Sequence, residues 1–258
     1  KLIYVLIYLL NIIMINNGGK IFYNTLCKHK VSHIWGYSGG AIMPIFDSLY
    51  NSKHIKTIIS SHEQYCGHSA TAYAKSSRYD GEHYGPKTGI AVVTSGPGLT
   101  NIITPLLDAN TDGAPLIVFS GQVPLAAQGT NAFQEAPAVD LSKYSTKWSY
   151  QIKENDDVSY ILNKAFFVAN DKKKGCVHID IPKCLMKKNN YEETNYEKNN
   201  ITFKNYDYRK IINMINNSKK PILLVGKGCI PAYKLLREVS VKGNIPVTST
   251  IHGCGIVN

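Results

Sequence analysis

Short apolar runs alternate with helical periods along most of this chain, and that alternation restricts the fold more than any other feature. The runs are apolar at consecutive positions, which is typical of strands buried on both faces. The stretches between them carry apolar residues at helical spacing and can form crossover connections. The sequence therefore predicts an α/β fold with a doubly wound parallel sheet covered by helices on both sides.

The predicted elements fall into two series. In the first, the predicted strands are 32–37, 55–60, 90–94, 115–120 and 176–181, and the predicted helices are 20–29, 41–50, 63–78, 99–110 and 158–169. In the second, helices at 208–216 and 232–241 alternate with strands at 221–225 and 246–250. This second series is too short to close a sheet of its own, so we expect a truncated second domain.

An Asn-rich segment with little apolar periodicity separates the two series and predicts a linker. The expected organisation is an apolar leader or unstructured start at 1–17, a first domain at 18–185, a linker at 186–206 and a truncated domain at 207–258. The apolar run Leu2–Ile15 is short for a membrane span, and it could belong to a targeting segment. We expect no membrane partner. The expected location is the cytoplasm or an organelle such as a mitochondrion or plastid.

Charge and cysteine content exclude several other classes of protein. The formal net charge is +11, but the densest lysine clusters, Lys172–Lys174 and Lys187–Lys188, do not form one stripe. This distribution favours a solvated surface over a nucleic-acid interface. The six cysteines form no Cys-x-x-Cys pair, so the sequence predicts neither a zinc ribbon nor a disulfide framework. We expect reduced thiols, most of them buried.

Two glycine-rich turns follow predicted strands, Tyr37-Ser38-Gly39-Gly40 and Ser95-Gly96-Pro97-Gly98. The carboxyl ends of parallel strands meet at one edge of the sheet, where open α/β sheets bind their ligands. Glycine lets a ligand approach the backbone, and the free N–H groups of a helix start attract negative charge. The second turn matches neither the dinucleotide pattern nor the P-loop. Taken alone, the first motif is better explained as a plain tight turn, and the second allows a phosphate cradle without requiring one.

Glu63 follows the second predicted strand and opens a helix at the same edge. A carboxylate there can complement the helix dipole, or it can move a proton in a buried site. Both interpretations stay open at this point. The nearby His62, Cys66 and His68 lack a fourth ligand at a suitable spacing, so no metal site is predicted.

The segment Gly121–Ala136 is long for a connection in a compact α/β unit, and such loops are usually functional or disordered. It offers one aromatic side chain, Phe133, and two amides, Gln128 and Gln134, which suit a small-substrate site. The sequence shows neither a Ser-His-Asp set nor paired catalytic carboxylates.

Taken together, these motifs resemble the catalytic subunits of the acetolactate synthase (acetohydroxyacid synthase) family, which are thiamine-diphosphate enzymes. The matching stretches are GYSGGAIMPIFD, SHEQYCGHSATAYAKSS, VVTSGPGLTN, DGAPLIVFSGQVP, GTNAFQEA, STKWSY, SKKPILLVGKGC and GNIPVTST. The likeness runs from about Gly18 to Asn258, apart from Pro182–Tyr208. It implies that the first domain is a pyrimidine-binding domain and that the second series begins a central domain.

The resemblance also implies an activity, the condensation of pyruvate with a second 2-oxo acid to a 2-acetohydroxy acid with loss of carbon dioxide, in isoleucine and valine biosynthesis. Glu63 would then activate the thiamine diphosphate, Gly40 would lie beside the reacting atoms, and Phe133 and Gln134 would line the substrate pocket. Pro124 would belong to the access channel. The residues expected to border the pyrimidine ring are Tyr37, Ser38, Gly39 and Pro97.

Further groups follow from the same resemblance. The positions expected to contact FAD, a structural cofactor in this family, are Gly226, Gly228, Thr250, Ile251 and His252. The Mg²⁺ ligands are expected beyond residue 258, because the similar fragment Asp80-Gly81-Glu82 does not fit the family's motif. The expected assembly is a homodimer with the active site between subunits, with or without a regulatory subunit. The chain as given is expected to be inactive alone.

Two alternatives remain. A related thiamine-diphosphate 2-oxo-acid decarboxylase would share Glu63 but should lack the GQVP and FQEA stretches of the long loop. A non-catalytic partner or regulatory chain would explain a missing diphosphate domain, but such a chain has no chemical need for a carboxylate at position 63.

Overall fold

The structure is a computed structural model that describes residues 17–76, 87–188, 191–196 and 207–257. The chain divides into two compact units, Lys1–Glu197 and Lys198–Asn258. The expected leader at 1–17 lies outside the described residues except for Asn17, and so does the fragment Asp80-Gly81-Glu82. In the part of the chain that is described, no helix has the length and apolar character needed to cross a membrane.

The first unit is built on one sheet of six parallel strands. The strands are β1 (His33–Gly36), β2 (Lys56–Ile59), β3 (Gly89–Val93), β4 (Leu116–Gln122), β5 (Trp148–Gln151) and β6 (Cys176–Pro182). Their order in the sheet is β2-β1-β3-β4-β6-β5. The order along the chain therefore departs from the order in the sheet at two places, between β1 and β3 and between β4 and β6. The predicted doubly wound parallel α/β fold is confirmed.

Helices cover both faces of this sheet. They are α1 (Gly18–Lys28), α2 (Met43–Leu49), α3 (Glu63–Lys75), α4 (Pro97–Thr111), α5 (Ala138–Ser142), α6 (Val158–Asn170) and α7 (Lys183–Lys187). Helices α1, α2 and α6 pack on one face, where the rings of Phe22 and Phe119 meet edge to face at 4.8 Å. Helices α3 and α4 pack on the other face. Alternate residues of β3 enter the two cores, which explains why that strand is apolar at every position.

Polar side chains fix where several of these helices begin. Asn17 caps α1 by accepting a hydrogen bond from the backbone N–H of Lys20 at 2.8 Å. Asp157 caps α6 in the same way, accepting from the N–H of Tyr160 at 2.9 Å. Caps of this kind satisfy N–H groups that have no partner within the helix.

The second unit has helices α8 (Arg209–Asn216) and α9 (Tyr233–Gly243) and the parallel strands β7 (Leu223–Val225) and β8 (Val247–Ser249). Short 3₁₀ turns, Lys227–Ala232 and Ile251–Gly253, follow the two strands. The predicted elements of the second series are all present, with ends shifted by one or two residues.

Two expectations about the first unit and the cysteines differ from the structure. The strand β5 was not predicted, because it has only four residues, all half-buried at the edge of the sheet. The expectation that most thiols are buried is wrong. Only Cys66 and Cys176 are buried among the six free cysteines; Cys184 and Cys254 are exposed and the other two are half-buried.

Candidate functional site

The two glycine turns leave the sheet side by side. Strands β1 and β3 are hydrogen-bonded neighbours, with Gly36 opposite Val92. The N–H of Tyr37 then donates to the carbonyl of Val92 at 3.1 Å, just beyond the paired residues. This is the first place where the strand order departs from the chain order, and ligands of doubly wound sheets bind in the crevice at such a point.

Thr94 lies between the two turns and holds them together. A Cβ at position 39 would lie 2.5 Å from Oγ1 of Thr94, and a Cβ at position 98 would lie 2.8 Å from its Cγ2. Glycine is therefore required at both positions for this approach. The Thr94 hydroxyl is buried, and it has no hydrogen-bond partner among the residues that the structure describes. A buried polar group of this kind points to a partner supplied from outside the chain.

Glu63 is the first residue of α3, and its side chain is buried against the start of α4. Its Oε2 accepts a hydrogen bond from the Asn101 side-chain amide at 2.9 Å. Its Oε1 lies 3.6 Å from where a Cβ of residue 98 would be. The carboxylate therefore faces the same crevice as the Ser95–Gly98 turn.

The close packing of α3 on α4 brings Glu63 to Asn101. A Cβ on Gly67 would lie 2.4 Å from Cβ of Pro105, so only glycine allows this separation of the two helices. The same helix contact buries Cys66, and burial raises the pKa of its thiol, with a smaller contribution in the same direction from the neighbouring Glu63. Cys66 is therefore a neutral core residue. No group of three potential metal ligands occurs among the described residues.

The segment 123–136 reaches back to the first crevice. Gly96 has φ +55°, and a Cβ there would lie 2.7 Å from the backbone oxygen of Gln134. Gln134 itself has φ +62°. Phe133, beside it, is 88 % exposed, so its ring points away from the core of this chain.

The structure thus places one group of predicted site residues at one edge of the first sheet: Tyr37, Ser38, Gly39, Gly40, Glu63, Pro97 and Gln134. A Cβ on Gly40 would meet no atom within 4 Å, so the space beside that residue is open. Pro124 is exposed at the start of the long segment. Sequence reasoning missed Asn101 and Thr94 as site residues, although both belong to the VVTSGPGLTN stretch.

The predicted residues of the second unit lie at the carboxyl ends of its own two strands. The N–H of Thr250 donates to the carbonyl of Val225 at 2.8 Å, which brings Thr250 next to Gly226. A Cβ on Gly228 would meet no atom within 4 Å, and Ile251 is exposed. His252 belongs to the 3₁₀ turn that follows β8.

A cavity of about 560 Å³ lies under the long segment rather than at Glu63. Its lining includes Gln122, Gln128, Glu135 and Gln151, and it includes neither Phe133 nor Gln134. The assignment of Phe133 and Gln134 to a substrate pocket stays a prediction. Of the two, Gln134 lies against Gly96 of the first crevice.

Two regions of the chain match known protein families. Residues 16–143 match the family described as "Thiamine pyrophosphate enzyme, N-terminal TPP binding domain". Residues 208–258 match "Thiamine pyrophosphate enzyme, central domain".

Curated proteins are similar over nearly the whole chain. The chain is 38% identical over 261 residues to "Acetolactate synthase, mitochondrial" of Schizosaccharomyces pombe, a match that covers 93% of the chain and 37% of that protein. It is 37% identical over 254 residues to "Acetolactate synthase catalytic subunit, mitochondrial" of Saccharomyces cerevisiae, covering 92% of the chain and 36% of that protein. It is 35% identical over 250 residues to "Acetolactate synthase large subunit" of Lactococcus lactis, covering 93% of the chain and 42% of that protein.

The fold, the crevice and these matches define a class of protein: the chain belongs to the thiamine pyrophosphate enzymes. Within that class, the relatives to which it is similar are named acetolactate synthases. The chain spans about two fifths of the length of the curated relatives it matches.

Proposed function

We propose that the protein is an acetolactate synthase that condenses pyruvate with a second 2-oxo acid, with loss of carbon dioxide, in the synthesis of branched-chain amino acids. The observation that carries the proposal is the buried Glu63 carboxylate, which faces the β1/β3 crevice with Asn101 on one of its two oxygens. The similarity to three acetolactate synthases supports the choice of reaction.

The residues of the crevice fit the aminopyrimidine ring of thiamine diphosphate. Two glycines close on Thr94, and its hydroxyl is buried without a partner among the described residues. Glu63 Oε1 accepts no hydrogen bond from a described residue, so it is available to a ring N–H. Tyr37, Ser38, Gly39 and Pro97 would border that ring. Thiamine diphosphate, when bound, supplies the electron sink needed for decarboxylation.

Within this proposal Glu63 exchanges a proton with a nitrogen of the ring. Burial excludes water from that hydrogen bond and so strengthens it. Asn101 fixes the orientation of the carboxylate by holding Oε2. Gly40 leaves space beside the reacting atoms, and Gln134 and the exposed Phe133 approach the substrate from the segment that touches Gly96. An exposed Phe133 is consistent with a second subunit completing the pocket.

The remaining expectations belong to the same proposal. FAD would contact the open backbone near Gly228 and Thr250, together with Gly226, Ile251 and His252. Mg²⁺ would bind together with the diphosphate, and the protein would act as a homodimer with or without a regulatory subunit. The proposed location is the cytoplasm or an organelle, and the similarity to two mitochondrial proteins of yeasts favours a mitochondrion over a plastid. We propose the domain organisation that the sequence predicts, with a first domain at 18–185, a linker at 186–206 and a second domain from 207.

The test is the Glu63→Gln variant of the protein expressed from its complete reading frame. We expect acetolactate formation from pyruvate to fall by about 100-fold or more, which is the scale of a lost proton-transfer group. Because the amide oxygen of the new side chain can still accept from Asn101, folding should be unchanged. The exposed Glu154→Gln variant is the matched control and should keep wild-type turnover. Near-normal turnover of Glu63→Gln would refute the role of Glu63.

The products separate the alternatives. Acetolactate from the wild-type protein supports the synthase, whereas acetaldehyde without acetolactate identifies a 2-oxo-acid decarboxylase. If the folded protein turns over no pyruvate in the presence of thiamine diphosphate and Mg²⁺, the remaining hypothesis is a non-catalytic partner chain.

A further inference from the structure

A buried carboxylate lies at the second place where the strand order departs from the chain order. Asp180, near the carboxyl end of β6, is fully buried, and strands β4 and β5 pair with β6 on either side of it. Ser120 donates to its Oδ1 at 2.5 Å. Gln122 and Gln151 donate to its Oδ2 at 3.1 Å and 2.8 Å. Asp180 thus collects three donors from the two neighbouring strands, and the proposed reaction uses none of them.

Gln122 connects this carboxylate to the long segment. Its amide nitrogen also donates to the carbonyl of Ala136 at 3.0 Å, and its amide oxygen accepts from the N–H of Val123 at 2.9 Å. One side chain therefore contacts both ends of the segment Val123–Ala136. The position of the Gln122 side chain is fixed in turn by its hydrogen bond to Oδ2 of Asp180.

The interior of the segment is held together by its own side chains. Glu135 accepts hydrogen bonds from the N–H groups of Gly129 and Ala132, at 2.6 Å and 3.2 Å. Gln128 donates to the carbonyl of Val123 at 3.3 Å. These bonds fix the segment's internal shape, so its placement depends on the contacts at its ends and on the approach of Gln134 to Gly96.

We propose that Asp180 is a positioning residue for the reaction: it holds Gln122, which fixes both ends of the segment Val123–Ala136 and so places Phe133 and Gln134 beside the β1/β3 crevice. The inference rests on the proposed function, because those two residues are assigned there to the substrate. It adds that a residue buried at the β4/β6 boundary controls substrate affinity at the β1/β3 boundary.

The geometry also says which replacement should be tolerated. In Asp180→Asn, the single amide oxygen can accept from both glutamines, and the new NH₂ group can donate to the Ser120 oxygen. The Ser120 hydroxyl can then donate to Nε2 of His178, which lies 2.8 Å away. In Asp180→Ala, the three donors lose their acceptor and Gln122 is released.

The experiment compares Asp180→Ala, Asp180→Asn and the exposed control Asp47→Ala in the protein expressed from its complete reading frame. Hydrogen exchange is measured without substrate, and KM and kcat for pyruvate are measured separately. In Asp180→Ala we expect the amides of 123–136 to exchange about tenfold faster and KM to rise about tenfold. The thiamine diphosphate concentration for half-maximal activity should stay within twofold. Asp180→Asn and Asp47→Ala should resemble the wild-type protein in all these measurements.

Gln122→Leu gives a second test that leaves Asp180 with two of its donors. It should reproduce both effects of Asp180→Ala, even if the latter fails to fold. Unchanged exchange of 123–136 in Gln122→Leu, or faster exchange with unchanged KM, would overturn the inference, as would an Asp180→Asn variant as impaired as Asp180→Ala. Because exchange needs no substrate, absence of acetolactate from the wild-type protein would refute the proposed function separately.

Discussion

His178 offers a sharp test of the buried polar network, because its imidazole is wholly enclosed. His178 lies two residues before Asp180 on β6, so both side chains are on the same face of the strand. Its Nε2 is 2.8 Å from the Ser120 hydroxyl, and its Nδ1 is 2.7 Å from the Ser142 hydroxyl. Since the Ser120 hydroxyl donates to Asp180, its oxygen can accept a hydrogen bond from Nε2–H of the neutral imidazole. Burial lowers the pKa of His178 from 6.5 to about 3. The folded protein therefore keeps this residue neutral.

The pKa gap sets the magnitude of the effect. Below pH 6.5 the unfolded chain binds a proton at residue 178, whereas the folded chain does not. The neutral histidine's contribution to the free energy of unfolding is therefore fully present above pH 6.5 and is lost as the pH falls toward 3. At about 1.4 kcal/mol per pH unit, the loss between pH 7 and pH 5 is about 2 kcal/mol. Burial raises the pKa of Asp180 to about 6, which acts in the opposite direction as the pH falls from 6.

The perturbation is His178→Gln, whose amide can bond both hydroxyls and cannot be protonated in this range. Urea unfolding at pH 7 and pH 5 is followed by the fluorescence of Trp35 and Trp148, which are the two tryptophans of the chain and both lie in the first unit. Asp180 titrates in both proteins, so its contribution cancels in the comparison. We expect the wild-type free energy of unfolding to fall by about 2 kcal/mol more than that of the variant between these pH values.

The exposed His54→Gln variant is the control for the loss of a histidine, and it should follow the wild-type pH dependence. Parallel pH dependence of His178→Gln and wild type would refute the reasoning, since it would mean that the folded protein protonates His178 as readily as the unfolded chain does.

Two further predictions concern the crevice and the helices. Gly98→Ala places a Cβ 2.8 Å from Thr94 Cγ2. The half-saturating concentration of thiamine diphosphate should therefore rise by tenfold or more, while the free energy of unfolding in urea changes little. Unchanged cofactor affinity would contradict the proposed ring site. Asp157→Ala removes the cap of α6, and the free energy of unfolding should fall by about 1 kcal/mol in the same urea assay; an unchanged midpoint would contradict the cap.

Much of the fold could be predicted from the sequence, because the strands buried on both faces are continuous apolar runs with turns directly after them. β5 escaped prediction for the opposite reason: its residues Trp148–Gln151 are half-buried and carry no apolar run. The cysteines show a similar limit, since Cys184 and Cys254 are exposed although cysteine is usually buried.

The first crevice was partly predictable, because carboxyl ends of parallel strands share an edge and Glu63 follows such a strand. Asn101 and Thr94 were not, since their roles depend on how closely α3, α4 and the turns approach. The Asp180 network required the strand order. Its signal was the alternation of polar residues inside buried strands, at Ser120 and Gln122 and again at His178 and Asp180.

The contact between Gly67 and Pro105 has a consequence for how this site tolerates sequence change. Pro105 has no N–H, so it cannot donate to the carbonyl of Asn101 four residues earlier, and α4 lacks one internal bond at the turn that carries this amide. The distance between Glu63 and Asn101 therefore depends on Gly67 and Pro105, each of which lies one helical turn beyond a member of the pair. A larger side chain at 67 would separate the pair without altering a ligand contact, so substitutions at 67 and 105 should be tolerated only in combination.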